Sequence, residues 1–342
     1  MDFAWWPHKA SETVASYRLR CAQIIAELSR RGVSCGLYAP GVAPKVLVLS
    51  KRYDAASVST ARALRDEHGT RIVLDLCDNH FSFAGQDPEW QARAETLKRA
   101  VAAADLVTAS TETLAKVIRD ACPDVRGVTV IGDAAEQPYE PDLSDKFGDI
   151  GAELNLALLR QKLDSKRRRL VWFGNHGSDY ASGGMLDLQR IYLMLEALDA
   201  ETPAQLTIIS NSAEKYRQTV KDWRIPTHYL RWRRTTFSRA MRLHALCLIP
   251  IGDNPFTRCK TNNRVATALL HDLPVVADSI PAYEAFADAI VLNDWERGLR
   301  LMLSDTTEAT RRVARGKAIL AADWTLPTIA DRWLTTLEAL AR

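Results

Sequence analysis

The stretch from Leu246 to Asp278 constrains this chain most. It opens with an apolar run, Leu246 to Ile251, short enough for a buried strand. A polar loop follows, with Gly252, Asp253, Asn254, Arg258 and Lys260, then a helical pattern through Val265, Ala268 and Leu269. A second apolar run, Leu273 to Ala277, reads as another strand. Strand, loop, helix, strand is a βαβ unit, whose natural sheet is parallel and buried on both faces. Ligands of such sheets bind beyond the strand carboxyl ends. Here that place holds Asp253, Arg258, Lys260, Asn263 and Arg264 at a helix start. Free backbone N–H groups, the helix dipole and three cations suit a phosphate or diphosphate. A solvated basic loop is the plainer alternative.

The same alternation runs through the rest of the chain. Short apolar runs at Phe3–Trp6, Val33–Tyr38, Val46–Leu49, Ile72–Leu76, Leu106–Ala109 and Val128–Ile131 are separated by helical patterns. A second series begins at Leu170 and continues at Gln205–Ser210 and His228–Leu230. Between them, Glu136 to Arg169 breaks the rhythm with Pro138, Pro141, one helical pattern and the run Lys166-Arg167-Arg168-Arg169. The reading is an α/β protein of two doubly wound domains. The first spans 1–134, a hinge and connector 135–169, the second 170–325, and a terminal helix 326–342. At 342 residues, two cores are the expected division.

Composition excludes several classes. A net charge of +3 is too small to argue for nucleic acid, although Arg231-Trp232-Arg233-Arg234 interleaves arginine with an aromatic. Six scattered cysteines without a CxxC pair argue for a reducing compartment and against structural zinc. No apolar run approaches the ~20 residues of a membrane span. The start lacks the pattern of a signal peptide. A cytoplasmic location is expected, with peripheral contact at the inner membrane face left open.

Other stretches carry local chemistry. Gly174-Asn175-His176-Gly177 follows a strand directly, so its backbone can approach a ligand closely; a plain turn is the alternative. Asp78-Asn79-His80 follows the strand Ile72–Leu76. Trp232 could stack on a base, or pack locally. Ile329, Trp333, Leu337 and Leu340 form one apolar stripe on a final helix begun at Pro327.

Taken in order, these pieces resemble the GT-B glycosyltransferases, and among them the bacterial family-4 (glycosyltransferase group 1) enzymes. Ala15-Ser16-Tyr17-Arg18-Leu19-Arg20 looks like the opening of their first helix. Val171 to Gly177 with Gly183-Gly184-Met185 looks like their second-domain strand and glycine loop. Lys260-x-x-Asn263-Arg264-x-x-x-Ala268-Leu269, then Leu273-Pro274-Val275-Val276, looks like their donor helix and next strand. The resemblance implies two Rossmann-like domains facing across a cleft, with the last helix returning to the first domain. It implies transfer of a sugar from a nucleotide-diphosphate donor to a glycan, lipid-linked or protein acceptor, in cell-surface glycan or glycoconjugate synthesis. No cofactor or metal is implied. Donor-binding residues would be Gly174, Asn175, His176, Gly177, Trp232, Asp253, Arg258, Lys260, Asn263 and Arg264. Catalytic groups would be Asp78, His80, Lys260 and Arg264, with Ser16, Tyr17, Arg18 and Arg20 on the acceptor side. One departure stands out. The two glutamates that such enzymes carry eight positions apart fall here on Cys259 and Thr267. A sugar-nucleotide epimerase, or a non-catalytic nucleotide-sugar-binding subunit, would fit the same pattern; nucleic-acid binding through Arg231–Arg234 fits it less.

Overall fold

The computed structural model describes residues 1–82, 87–177 and 183–342. The chain forms two compact units. The first takes in Met1–Glu136, Arg258–Thr261 and Ala321–Arg342; the second takes in Gln137–Thr257 and Asn262–Leu320.

In the first unit six parallel strands are β1 (Phe3–Pro7), β2 (Cys35–Leu37), β3 (Val46–Ser50), β4 (Arg71–Leu76), β5 (Leu106–Ala109) and β6 (Val128–Val130), in the order β2-β1-β3-β4-β5-β6. The period of two divides each strand between two cores. Val46, Val48 and Val73 face one side with Trp5, Ile24 and Leu28. Leu47, Leu49, Ile72 and Leu74 face the other with Leu97, Leu114 and Ile118. A strand buried on both faces has no polar side, which is why these runs read as nearly continuous hydrophobics. Helix boundaries have local causes. Asp54 caps the helix Ala55–His68 by accepting from the Ser57 N–H, and Gly69 ends it at φ 73°. Pro88 opens the helix Pro88–Ala103 beside the cap Asp87.

The first helical stretch runs from Ala15 to Arg30, with Arg18–Ala22 wound as a π-helix. The final helix, Leu326–Ala341, is capped by the Thr325 side chain, which accepts from the Thr328 N–H. Its stripe of Ile329, Trp333 and Leu337 is buried in the first unit's core beside Trp5, Cys21 and Ile24.

The second unit has β7 (Arg168–Phe173), β8 (Ala204–Ser210), β9 (Thr227–Arg231), β10 (Leu246–Ile249), β11 (Val275–Ala277) and β12 (Val291–Leu292). All are parallel, in the order β12-β11-β10-β7-β8-β9. Its first strand therefore lies centrally, with the second and third to one side and the fourth to sixth on the other. From Gln137 the chain already belongs to this unit, and two helices, Leu143–Gly148 and Ile150–Lys162, occupy the stretch expected as hinge and connector. The longer packs against β9, covering an edge strand of the sheet.

Candidate functional site

In a sheet of this order the chain reverses direction between β7 and β10, and the loops after those strands diverge to open a crevice. The loop after β7 begins at Gly174, whose N–H donates to Ile209 O at 3.1 Å and whose O accepts from Ser210 Oγ at 2.8 Å. A Cβ on Gly174 would lie 3.2 Å from the Trp172 ring and 3.7 Å from Arg264 Cζ. The bare backbone is what lets the guanidinium approach. Gly177, Gly183 and Gly184 have φ of 114°, 137° and 78°. A Cβ on Gly184 would come within 2.6 Å of Gly177 N, and one on Gly177 within 2.7 Å of Gly183 O. The two arms of the loop thus meet backbone to backbone. Gly184→Ala should spread them and cost roughly 1–3 kcal/mol, the usual range for a strained backbone position; an unchanged denaturation midpoint would refute this.

Asp187 joins the two diverging loops. Its carboxylate accepts from the Gly184 N–H at 2.9 Å and from the Gly252 N–H at 3.0 Å. Burial raises its pKa above the ordinary carboxylate value, opposed by the Gly252 N–H and by Arg264. After β10, Asn254 Oδ1 accepts from the Phe256 and Thr257 N–H groups, and Thr257 Oγ donates to Gly252 O at 2.5 Å, so this loop is fixed by its own side chains.

Arg264 stands in the first turn of the helix Asn263–Leu270. Its guanidinium carbon lies 5.1 Å from the Trp172 ring centroid and 5.7 Å from that of Phe173. Its Nε and Nη2 are buried and have no hydrogen-bond partner among the described residues. A buried charged donor without an acceptor is costly, and a ligand oxygen at this place would relieve that cost. The His176 N–H donates to Asn211 Oδ1 at 3.0 Å, and its ring Nδ1 lies 2.8 Å from the same oxygen. The Trp232 N–H donates to Ser210 O at 2.8 Å, and its ring is 6.2 Å from Phe237. Gly174, Asn175, His176, Gly177, Trp232, Asp253 and Arg264 therefore all follow the carboxyl ends of parallel strands in one sheet, or sit at the next helix start. Of the basic run beside Trp232, Arg233 pairs with Asp149 at 3.5 Å and Arg234 lies over the Tyr139 ring at 4.4 Å. Those two cations have partners within their own unit, and Arg231 is exposed.

Arg258, Cys259 and Lys260 belong to the first unit. Lys260 Nζ pairs with Asp78 Oδ1, and Lys51 Nζ pairs with Asp78 Oδ2. Burial would raise the Asp78 pKa, but Lys260 and Lys51 outweigh it and hold the carboxyl well below its usual range. A base so suppressed is a poor proton acceptor at neutral pH. His80 is buried, with Nδ1 2.9 Å from Tyr53 Oη, and Arg93 Nε donates to that same hydroxyl at 2.6 Å. Burial brings its imidazole down to about 3, against the pull of Asp78. It stays neutral across the physiological range. Cys259 is fully buried in the core beside Leu74 and Leu114, and its carbonyl accepts from Thr111 Oγ at 3.2 Å. The position matched to a glutamate therefore carries a packing side chain.

Of the acceptor-side residues, Ser16 and Tyr17 line a cavity of about 130 Å³ with Pro7, His8, Lys9 and Lys51, at the carboxyl ends of β1 and β3. Arg18 Nε donates to Glu136 at 2.8 Å. Arg20 is a correction. It is 1% exposed, and its guanidinium is bound to Asp75, Asp133 and Ile131 O inside the core, so it cannot meet an acceptor. Two site residues were missed by sequence reasoning. Lys51 had a signal, standing directly after a buried strand of a parallel sheet. Asp187 had none, since it falls inside a helical pattern. Among the described residues no group of three or more His, Cys, Asp or Glu could hold a metal ion, and no helix is long and apolar enough to cross a membrane.

No family model matches the chain. No curated protein matches it by sequence. Solved structures do match in fold. Anabaena HepE in complex with UDP and glucose superposes with a TM-score of 0.66 at 13% identity, over 99% of both chains. The sucrose-phosphate synthase of Thermosynechococcus elongatus gives 0.62 at 15% identity, over 92% of this chain and 75% of that one. A UDP-forming α,α-trehalose-phosphate synthase of Burkholderia vietnamiensis gives 0.61 at 15% identity, over 86% and 72%. The shared fold is the GT-B architecture; at these identities the likeness is one of fold.

Proposed function

We propose that the protein is a glycosyltransferase that takes a sugar from a uridine-diphosphate donor. The observation that carries this reading is Arg264. Its buried guanidinium presents two donors, Nε and Nη2, without acceptors among the described residues, beside the Gly174 loop and a helix start, at the point where the strand order of the second unit reverses. Two adjacent phosphates would fill those donors, and the planar guanidinium suits paired phosphate oxygens. The choice of uridine rests on the structural neighbours, described as UDP-forming or in complex with UDP.

In the reaction the bond from the anomeric carbon to the diphosphate oxygen breaks, and its electron pair leaves with the diphosphate. The acceptor oxygen bonds to the anomeric carbon. Arg264 and the helix N-terminus stabilise the charge that grows on the leaving group, an effect that is commonly the largest in such catalysis. Neither of the two first-unit candidates for a base suits the task, since Asp78 is held ionised by two lysines and His80 is buried against Tyr53. The acceptor proton is therefore assigned to the departing diphosphate. Trp232 is assigned to the base, Asp253 and Asn263 to the donor loop, and Ser16 and Tyr17 to the acceptor. Arg258 and Lys260 flank the donor helix in sequence, but the ammonium of Lys260 is committed to Asp78.

Calorimetry with UDP tests this. The intact protein should bind UDP, and Arg264→Ala should weaken binding and slow transfer by roughly 10²-fold, as expected for losing one donor to a developing charge. Equal UDP affinity in the variant would refute the assignment. Products analysed with and without acceptor separate transfer from epimerisation, and tight UDP binding with no turnover would leave a silent binding subunit.

A further inference from the structure

The cavity at the carboxyl ends of β1 and β3 lies wholly within the first unit. Its lining is apolar at Pro7, Val14 and Tyr17, and its polar groups are His8, Lys9 and Lys51 besides two serines. Among the described residues that line it, none is acidic. The strand ends fix these side chains. The His8 N–H donates to Ser50 O at 2.8 Å, and the Lys51 N–H to Asp75 O at 2.9 Å. Lys51 holds φ at 51°, a left-handed conformation that residues with a Cβ rarely adopt and that persists where the surroundings impose it. From there its ammonium pairs with Asp78, which also holds Lys260. One carboxylate facing two ammonium groups leaves a positive charge over.

Two further acids nearby have cations of their own. Asp54 caps a helix start and lies 3.5 Å from Arg52, and Glu136 takes Arg18. Glu12 lies on the Tyr17 side, where burial and then Glu12 raise the phenol pKa. The field at His8 is positive all the same. Burial lowers its pKa, and Arg52, Arg93 and Lys51 lower it further, against Asp54. Lysines donate hydrogen bonds and accept none. A neutral sugar placed here would bring them hydroxyl donors that they cannot receive, whereas a carboxylate or phosphate brings charged acceptors. We propose that the acceptor carries an oxyanion, a carboxylate or a phosphate, seated in this cavity against Lys9 and Lys51. Calling the occupant the acceptor rests on the transferase reading above; its charge rests on the cavity alone.

Histidine-selective NMR of the full chain, without nucleotide, tests it against glucuronate, glucose 6-phosphate and glucose. The His8 signal is the one lost in His8→Gln. At least one charged sugar should move that signal saturably and raise the His8 pKa, since an anion beside an imidazole favours its charged form. Glucose should do neither. Which charged sugar acts separates a carboxylate source from a phosphate source. Lys9→Glu should weaken that binding at least about tenfold, because a charge-assisted hydrogen bond gives way to a like charge. Lys9 is exposed, and an unchanged thermal midpoint and UDP affinity would show the variant to be folded. The proposal is overturned if neither charged sugar binds, if glucose binds as well as they do, or if Lys9→Glu binds equally. Charged-sugar binding by a chain that does not bind UDP would sink the transferase reading and leave the oxyanion site standing.

Discussion

Replacing Arg20 by Leu should remove about 3–5 kcal/mol of stability, the usual loss when one partner of a buried ion pair is deleted. The cause is the company Arg20 keeps. Its Nη2 donates to Asp75 at 2.6 Å, its Nε to the same carboxylate at 3.0 Å, and its Nη1 to Asp133 at 2.8 Å and Ile131 O at 2.9 Å. Asp75 also accepts from Ser50 Oγ at 2.9 Å and Thr108 Oγ at 2.8 Å. Burial would lower the Arg20 pKa, but Asp75 and Asp133 reverse this and raise it, so the guanidinium is charged at every accessible pH. Without it, the buried Asp75 carboxylate keeps its hydroxyl donors but loses the guanidinium charge that balances it. Arg20→Lys should recover little, because an ammonium cannot span both carboxylates and a carbonyl in one plane. Chemical denaturation followed by circular dichroism measures the loss. A change below about 1 kcal/mol, the scale of a surface pair, would show the network to be dispensable.

Trp333→Ala should cost a similar 3–5 kcal/mol, as expected for truncating a fully buried Trp. Its ring makes an edge contact with Trp5 at 5.9 Å, and the Arg20 guanidinium lies 5.6 Å from its centroid. Trp333 Nε1 is buried without an acceptor among the described residues. Trp333→Phe removes that unsatisfied donor while keeping an aromatic ring, so it should recover much of the loss. Because Arg20 and Trp333 touch, the double variant Arg20→Leu, Trp333→Ala should depart from additivity by roughly 0.5 kcal/mol or more. Strict additivity would mean that the terminal helix and the ion network are independent.

Much of this architecture is readable from the chain alone, because its causes are local. A parallel strand buried on both faces must be apolar throughout, so Val46–Leu49 and Leu246–Ile249 announce themselves. Gly69 ends a helix because it takes the left-handed φ of 73°, which residues with a Cβ rarely adopt. The stripe of Ile329, Trp333 and Leu337 is legible because a helix repeats every 3.6 residues, and such a stripe must be covered. The Gly174 loop and Arg264 stand out for a related reason, since crevices of parallel sheets form where strands end.

What tertiary structure alone decides is where charged side chains end. Arg18 and Arg20 lie in one turn and look alike in sequence. One reaches Glu136 near the surface, the other the core, because the carboxylates that make burial affordable are 55 and 113 positions away. Lys260 reads as a phosphate cation until Asp78, 182 positions earlier, is found beside it. Asp187 is one acid in a helical pattern until two loops bring the Gly184 and Gly252 N–H groups to it. Ile150, Leu154 and Leu158 satisfy helical periodicity as well as Ala152, Leu156 and Leu159 do, and which set is covered depends on where β9 and the helix Arg234–Met241 lie. Apolar patterning is a property of a short segment. The partner of a charge is set by contacts between distant segments, which exist only once the chain has folded.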